Sequence, residues 1–293
     1  MSGMNALVLA ALLAPPPVGR LPADPFDRPD EITVVAVVHP FTAAAWTKAG
    51  ELLTVSPEAD EPEAAGLFRR YGPDLTLAHT CKMPATARDL SLDEAGGRLL
   101  AVTGVAADDG PAAGLLVAYK LADLMGESAK PAATLRTARR VTGIARSADG
   151  RVLYAAVGTA VLTLDPATLK QTASLKGEAD RVTPTGRPLA KVRASAGELA
   201  LTGDPPRLVR GDTDLTPADG LAATGFLAVA GDRAVLTAAA GSGIELLTLA
   251  GDKAVSVARR ADKPPHEFRG PVSLSADGRR AACGCGTVAG LPK

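Results

Sequence analysis

Aromatic side chains and net charge are what this sequence has least of. Phe, Trp and Tyr make up 3% of its 293 residues, so we predict a core of Ala, Val and Leu side chains packed in regular layers. The 32 Lys and Arg residues balance 32 Asp and Glu residues, which gives a formal net charge of zero. A neutral chain has no long-range field to attract nucleic acid or an anionic membrane. The sequence therefore predicts no nucleic-acid partner, and any charged binding surface must be local.

Cysteine is also scarce, because the chain contains only Cys81, Cys283 and Cys285. Three cysteines are too few for a disulfide framework. Cys283 and Cys285 lie two residues apart in a predicted strand, where a bond between them would be strained. No nearby His or third Cys completes a metal site around them. We therefore predict buried thiols, no bound metal and no cofactor.

The apolar run from Ala6 to Ala14 is too short to span a bilayer. It is similar to the apolar segment of a signal peptide, although no Lys or Arg precedes it. Residues 15–30 contain six prolines and predict an extended linker. We predict that residues 1–30 are a signal peptide and linker of a bacterial-type exported protein, periplasmic or secreted. The alternative is a loosely packed tail of a cytoplasmic protein.

A short turn motif recurs along the rest of the chain. The sequence SADGR stands at 147–151 and again at 275–279, each time between alternating apolar segments. Looser copies place their turn glycines at intervals of 34 to 53 residues. These glycines are Gly50, Gly97, Gly150, Gly197, Gly231 and Gly278. A period in this range is typical of stacked four-stranded modules.

The two ends of the repeated region complement each other. The last copy has three strand-like segments and no fourth, whereas an unassigned strand, EITVVAVV at 31–38, precedes the first copy. If that strand completes the last module, residues 31–293 form a closed ring of six modules of about 44 residues each. Closure protects the strand edges. We predict an all-β, single-domain, six-bladed β-propeller over 31–293, with seven blades as the alternative.

The segment from Ser147 to Lys170, SADGRVLYAAVGTAVLTLDPATLK, resembles the blades of WD-repeat and YVTN-type β-propellers. Those blades often carry a similar hairpin and end their third strand in Trp-Asp. Leu164 and Asp165 stand at that place here, so the signature is mostly lost. The resemblance implies a propeller that binds or scaffolds a protein or peptide without catalysis.

Catalytic candidates are few. The three histidines are His39, His79 and His266; we interpret His79 as structural. The chain lacks the GxSxG, HExxH and P-loop motifs. The predicted innermost strands supply one Asp and no His or Glu. We expect no enzyme; the alternative is a hydrolase or lactonase-like propeller with a metal in its central channel. A purely structural module of a larger assembly is a third possibility.

Charged residues cluster in connections that emerge on one face of a propeller, between the second and third strands of a blade and between successive blades. The acidic residues lie in the first kind of connection, and the basic residues and two histidines in the second. The predicted site comprises Glu58, Asp60, Glu61, Glu63, Asp108, Asp109, Arg139, Arg140, His39 and His266. We predict that this face of a monomeric propeller docks a protein or peptide. The alternative is that these residues are ordinary solvated loop charges. The sequence leaves open whether the acidic loops bind a cation.

Overall fold

A computed structural model describes residues 32–58, 65–103, 114–238, 243–261 and 267–292. The predicted signal peptide and linker lie outside these ranges. The described chain forms 26 β-strands and one single-turn 3-10 helix at Asp123–Met125. Twenty-four of the strands form six antiparallel sheets of four strands each, arranged as a ring. The protein is therefore a six-bladed β-propeller, as predicted, and the seven-bladed alternative is wrong.

The strands follow the repeat along the chain, with the innermost strand first in each blade. The first strand is β1 (Thr33–Val37), and blade 1 contains β2 (Ala43–Trp46), β3 (Leu52–Pro57), β4 (Gly66–Tyr71) and β5 (Leu77–Met83). Blade 2 contains β6 (Ala87–Asp93), β7 (Arg98–Thr103), β8 (Gly114–Lys120) and β9 (Ala133–Thr137). Blade 3 contains β10 (Gly143–Arg146), β11 (Leu153–Ala156), β12 (Gly158–Leu164) and β13 (Gln171–Ala179).

The second half continues in the same order after a small hairpin of β14 (Arg181–Val182) and β15 (Pro188–Leu189). Blade 4 contains β16 (Val192–Ala196), β17 (Leu199–Thr202), β18 (Arg207–Arg210) and β19 (Thr213–Asp214). Blade 5 contains β20 (Phe226–Ala230), β21 (Arg233–Thr237), β22 (Ile244–Ala250) and β23 (Lys253–Arg260). Blade 6 contains β24 (Val272–Leu274), β25 (Arg280–Cys283) and β26 (Thr287–Gly290), with β1 as its fourth strand.

Pairing between β1 and β26 closes the ring. The two strands are antiparallel, with Thr33 opposite Gly290 and Val37 opposite Thr287. Blade 6 is fixed to blade 1 by the Trp46 indole, which donates to the Ser273 carbonyl at 3.1 Å. The Arg280 guanidinium lies 4.9 Å from the centre of the same ring. The predicted closure by an early strand is therefore confirmed.

The SADGR segments form the tight turns that the sequence predicts. In blade 3, the Asp149 carboxylate accepts a bond from the Ser147 hydroxyl at 2.6 Å and from the Arg151 N–H at 3.1 Å. Gly150 has a φ of +72°, a conformation that glycine adopts at little steric cost. The turn therefore satisfies its own polar groups, and it joins the first two strands on the face opposite the predicted site.

The core consists of separate apolar clusters at the junctions between blades. Most members are Ala, Val and Leu, as the composition predicts. Of the few aromatic residues, Phe68, Tyr71, Tyr119 and Phe268 are the largest of the fully buried side chains. Blades are therefore held mainly by aliphatic contact.

The junction between blades 3 and 4 differs from the other five. Here β14 lies between the innermost strands β10 and β16, and contacts both. Val182 of β14 packs with Ala156, Val161 and Ala179 of blade 3. Blade 4 is complete, but its outermost strand has only two residues. The inserted hairpin was not predicted from the sequence.

The prediction for one cysteine is wrong. Cys81 and Cys283 are buried, but Cys285 is half-buried and lies in a turn after β25. Gly286, with a φ of +96°, turns the chain, and its N–H donates to the Cys283 carbonyl at 2.8 Å. The Cys285 thiol donates instead to the Glu267 carbonyl at 2.9 Å. The strand therefore ends before the second cysteine.

Candidate functional site

The central channel opens into a cavity where the innermost strands begin. Its volume is about 460 Å³, and residues of blades 2 to 6 and of the inserted hairpin line it. The connections between blades surround this opening, which we call the channel mouth. Its charged lining residues are Arg88, Asp89, Arg140, Asp180, Arg181 and Arg193. Among the described residues, the mouth therefore holds four arginines and two aspartates, on the face where the sequence predicts the binding site.

Arg181 reaches into the mouth from β14. Its Nη1 donates to the Thr142 carbonyl and, at 3.1 Å, to the Asp180 carbonyl. The side chain crosses directly over Gly143, where an added Cβ atom would lie 2.7 Å from the Arg181 Cδ atom. Any residue with a Cβ atom at 143 would displace Arg181. Glycine at this position therefore allows the guanidinium to take its observed place.

Asp89 lies beside Arg181 at the start of β6. Its Oδ2 accepts a hydrogen bond from the Ile144 N–H of blade 3 at 3.2 Å. The residue is half-buried and lines the cavity. Burial raises the pKa of Asp89, while the nearby Arg181 cation lowers it in part. A negative charge at this position is therefore less favourable than in water.

Two other charged groups at the mouth, Asp180 and Arg193, also have partners. The Asp180 carboxylate accepts from the Lys191 N–H at 2.6 Å, which closes the loop containing the inserted hairpin. Arg193 approaches Asp204 at 3.7 Å, and both side chains are exposed, so the pair contributes little stability. Arg140 is exposed in the connection between β9 and β10. These arginines can therefore move toward a ligand at small cost.

The structure describes only part of the predicted site. Asp60, Glu61, Glu63, Asp108, Asp109 and His266 lie outside the described residues. Arg139 and Arg140 are both exposed in the connection into blade 3, and Arg140 also lines the mouth. Glu58 forms an exposed ion pair with Lys82 at 2.8 Å, at the outer part of blade 1. Of the predicted residues, Arg140 is the one that the described lining of the mouth includes.

His39 sits in a structural contact. The Tyr71 hydroxyl accepts from the His39 backbone N–H at 3.2 Å and shares a second hydrogen bond with its Nδ1 at 3.0 Å. Burial, and then the Arg69 cation, lower the pKa of His39. These contacts hold the connection between β1 and β2 on blade 1. His79 likewise donates from Nε2 to the Gly126 carbonyl at 3.1 Å, in agreement with the structural role predicted for it.

The sequence does not single out Arg88, Arg181 or Arg193 as site residues. It also does not predict that Asp89 lies beside Arg181. The single Asp in the innermost strands is visible in the sequence, but its neighbour Arg181 belongs to a hairpin with no detectable repeat pattern. Among the described side chains, no three His, Cys, Asp or Glu residues form a group that could hold a metal ion. Within the described ranges, the chain also forms no helix with the length and apolarity that a membrane crossing requires.

Comparison with known proteins identifies the fold but no family. No protein-family model matches the chain, and no curated protein matches it. Among solved structures, hydrazine synthase of Kuenenia stuttgartiensis is 11% identical over 88% of this chain and 96% of the matched chain, with a TM-score of 0.55. The C-terminal WD40 domain of Sif2 is 10% identical over 90% of this chain and 99% of its own, with a TM-score of 0.54. Similar folds therefore occur both in a protein named as an enzyme and in a WD40 domain.

Proposed function

We propose that this protein is a non-catalytic propeller that binds a protein or peptide through the face containing the channel mouth. The observation that carries the proposal is the cavity of about 460 Å³, open to that face and lined by residues of five blades and the inserted hairpin. A concave site with a few converging polar groups is the usual form of a binding site. The shared fold with a WD40 domain supports the same role by analogy.

The two faces of the ring differ in what they offer a partner. On the opposite face, the described turns such as SADGR bond their own side chains internally. At the mouth, exposed guanidinium groups of Arg140 and Arg193 border an open cavity. A segment of a partner could enter this cavity and contact several blades at once. The proposal therefore assigns binding to the mouth and a structural role to the opposite face.

A display library of random peptides, selected on the immobilised full chain, tests this proposal without assuming any ligand charge. Ser195→Trp would fill the mouth, because Ser195 lines the cavity from β16. Ala148→Trp adds the same ring to the opposite face, where Ala148 is exposed. Thermal unfolding of both variants checks that they remain folded, and Arg193→Trp, at an exposed position, replaces Ser195→Trp if that variant unfolds.

We expect the selected peptides to lose binding to the Ser195→Trp protein and to keep binding to the Ala148→Trp protein. Peptides that are indifferent to the mouth variants, or that are blocked only by Ala148→Trp, would overturn the proposal.

A further inference from the structure

We infer that the channel mouth recognises a carboxylate of its partner and that Arg181, presented by the inserted hairpin, holds it. This inference rests on the proposed function and names the chemistry of the group that enters the mouth. Its basis is the charge of the lining, the placement of one guanidinium and the space in front of it.

The charge of the mouth favours an anion. Four arginines line it from β6, from the connection into blade 3, from β14 and from β16, against two aspartates. Each aspartate already accepts a backbone N–H, Asp89 from Ile144 and Asp180 from Lys191. Each aspartate therefore has a partner within the fold. Among the described lining residues, the cationic groups outnumber the anionic groups at the opening, where a ligand arrives.

Arg181 is the guanidinium that the fold fixes in place. Its bonds to the Thr142 and Asp180 carbonyls both use Nη1, one of its three nitrogens. A guanidinium has five N–H donors in a rigid fork that matches the two oxygens of a carboxylate. Because two carbonyls hold one arm of the fork, the ligand does not have to order this side chain. Arg140 and Arg193 are exposed and lie at the rim of the same cavity.

The fixed guanidinium of Arg181 favours a carboxylate over a phosphate. A carboxylate carries one negative charge, whereas a phosphate monoester carries about 1.5 to 2 at neutral pH and is typically held by a cluster of arginines. Backbone carbonyls fix Arg181 in place, and one such fork matches one carboxylate. A side-chain carboxylate and a C-terminal carboxylate have the same chemistry, so either could supply the group.

Fluorescence anisotropy with four labelled probe peptides tests the inference on the full chain. The first alternates Gly and Glu and has an amidated C-terminus; the second replaces every Glu by Gln. The third is the Gln peptide with a free C-terminal carboxylate, and the fourth replaces one Gln by phosphoserine and is amidated. Binding of the first peptide identifies a side-chain carboxylate, and binding of the third identifies a terminal one.

We expect at least one carboxylate peptide to bind about tenfold or more tightly than the amidated Gln peptide, as one charge-assisted hydrogen bond requires. Equal binding of all four peptides would overturn the inference, and so would tighter binding of the phosphoserine peptide than of both carboxylate peptides.

Gly143→Ala is the decisive variant, because it leaves every charge in place. The new Cβ atom would lie 2.7 Å from the Arg181 Cδ atom, so the guanidinium must move. The matched control is Gly126→Ala, where the nearest atom would be the Asp123 carbonyl oxygen at an ordinary 3.5 Å. We expect Gly143→Ala to weaken carboxylate binding about tenfold and Gly126→Ala to leave it unchanged. Arg181→Gln, which removes the charge, should give at least the same loss and serves if Gly143→Ala unfolds.

A general attraction of anions to positive surface would give a different pattern. Arg151→Glu combined with Arg279→Glu reverses two exposed charges on the opposite face. If this double variant weakens the carboxylate peptides as much as Arg181→Gln does, the inference is wrong. The proposed function is tested separately from this inference. If Ser195→Trp blocks the binding of uncharged library peptides, the proposed function is supported even when no carboxylate preference is found.

Discussion

The two faces of this propeller use the same repeated blades in different ways. The face with the SADGR turns is built twice in nearly the same form, because Ser275 and Asp277 in blade 6 repeat the 2.6 Å bond of Ser147 and Asp149 in blade 3. The mouth face is built from unlike parts, and its lining includes a hairpin inserted at a single junction. The regular turns stabilise the ring, whereas the irregular connections give the mouth face a set of side chains that the repeat does not supply.

Buried carboxylates follow the same division. On the turn face, Asp93 of blade 2 forms an ion pair with Arg146 of blade 3 at 2.5 Å and joins neighbouring blades. On the mouth face, Glu245 of β22 accepts hydrogen bonds from backbone N–H groups of the connection that leads from blade 4 into blade 5. One carboxylate therefore links two blades, and the other links a connection to a blade. Substitutions at each position measure how much the ring depends on either face.

Glu245→Ala should have the largest effect. The Glu245 side chain has no exposed surface, and it accepts from the Ala222 N–H at 2.7 Å and from the Arg259 Nε at 2.8 Å. Removing it leaves the Ala222 and Ala223 N–H groups without an acceptor, whereas Arg259 keeps its ion pair with Asp219 at 3.1 Å. We expect the free energy of unfolding to fall by about 3–4 kcal/mol, measured by urea denaturation, because each unpaired buried donor costs about 1–3 kcal/mol.

The matched control is Glu198→Ala. Glu198 pairs with Arg187 at 3.7 Å, and both side chains are about 40% exposed, at 39% and 41%. An exposed pair contributes less than about 1 kcal/mol. If the two variants are equally stable, the buried carboxylate does not anchor the connection.

Asp93→Ala tests the turn face. Asp93 is 6% exposed, pairs with Arg146 and accepts from the Gly96 N–H at 3.0 Å. We expect a loss of about 2–3 kcal/mol, because hydrogen bonds to a charged group break in a site that water barely reaches. Arg98→Ala provides the comparison, since its guanidinium lies 3.9 Å from the same carboxylate and should cost less than about 1 kcal/mol. A loss for Arg98→Ala as large as that for Asp93→Ala would contradict this assignment.

Asp277→Ala measures how much one SADGR turn contributes to the free energy of unfolding. The Ser275 hydroxyl, followed by the Arg279 N–H, lowers the pKa of Asp277. A carboxylate with a lowered pKa stabilises the fold above the ordinary aspartate value near pH 4, and this contribution disappears as the pH falls through the lowered value. We expect a loss of about 0.5–1 kcal/mol at pH 7, because solvent screens the exposed group.

The difference between wild type and Asp277→Ala should therefore shrink in denaturation curves recorded below about pH 4. Asp149→Ala, in the other copy of the turn, should change in the same direction, since its pKa is lowered by the same two kinds of hydrogen bond. Opposite pH trends for the twin variants would show that the two turns are not equivalent.

The ring could be predicted because its signals are local or countable. Asp149 and Gly150 specify their turn from within five residues, and the alternating apolar segments on either side are visible without any tertiary information. Counting strands then leaves one place for the early strand, and β1 occupies it. A local pattern of turn residues and alternating apolar segments, repeated six times along the chain, thus predicts a large closed fold.

The candidate site could not be predicted in the same way. Arg181 reaches the mouth from a hairpin whose strands have two residues each, too short to show a period of two. Arg88 and Arg193 are ordinary polar positions in the sequence, and they converge with Arg140, which the sequence did predict, only because the ring brings the starts of the inner strands together. Of the predicted site, only residues in the connection into blade 3 and around His39 and Glu58 could be compared with the structure. The position of Gly143 under Arg181 likewise has no sequence signal.

Asp89→Asn should have the smallest effect on stability and the opposite sign. Burial raises the pKa of Asp89, and Arg181 of β14, with the Ile144 and Leu90 amides, offsets part of this change. A raised carboxyl pKa means that the charged form costs stability above that value, whereas below the ordinary value near pH 4 both states are protonated and the cost vanishes. We expect Asn to increase the free energy of unfolding at pH 7 by about 0.5 kcal/mol, and the gain to disappear in acid.

Asp89→Asn should also change peptide binding. Because it removes a negative charge from the cavity, the carboxylate probe peptides should bind a few-fold more tightly. The other charged residues that line the cavity are Arg88, Arg140, Arg181, Arg193 and Asp180. A stability gain that stays constant from pH 7 to pH 3 would mean that hydrogen bonding, and not the charge at the mouth, sets the effect.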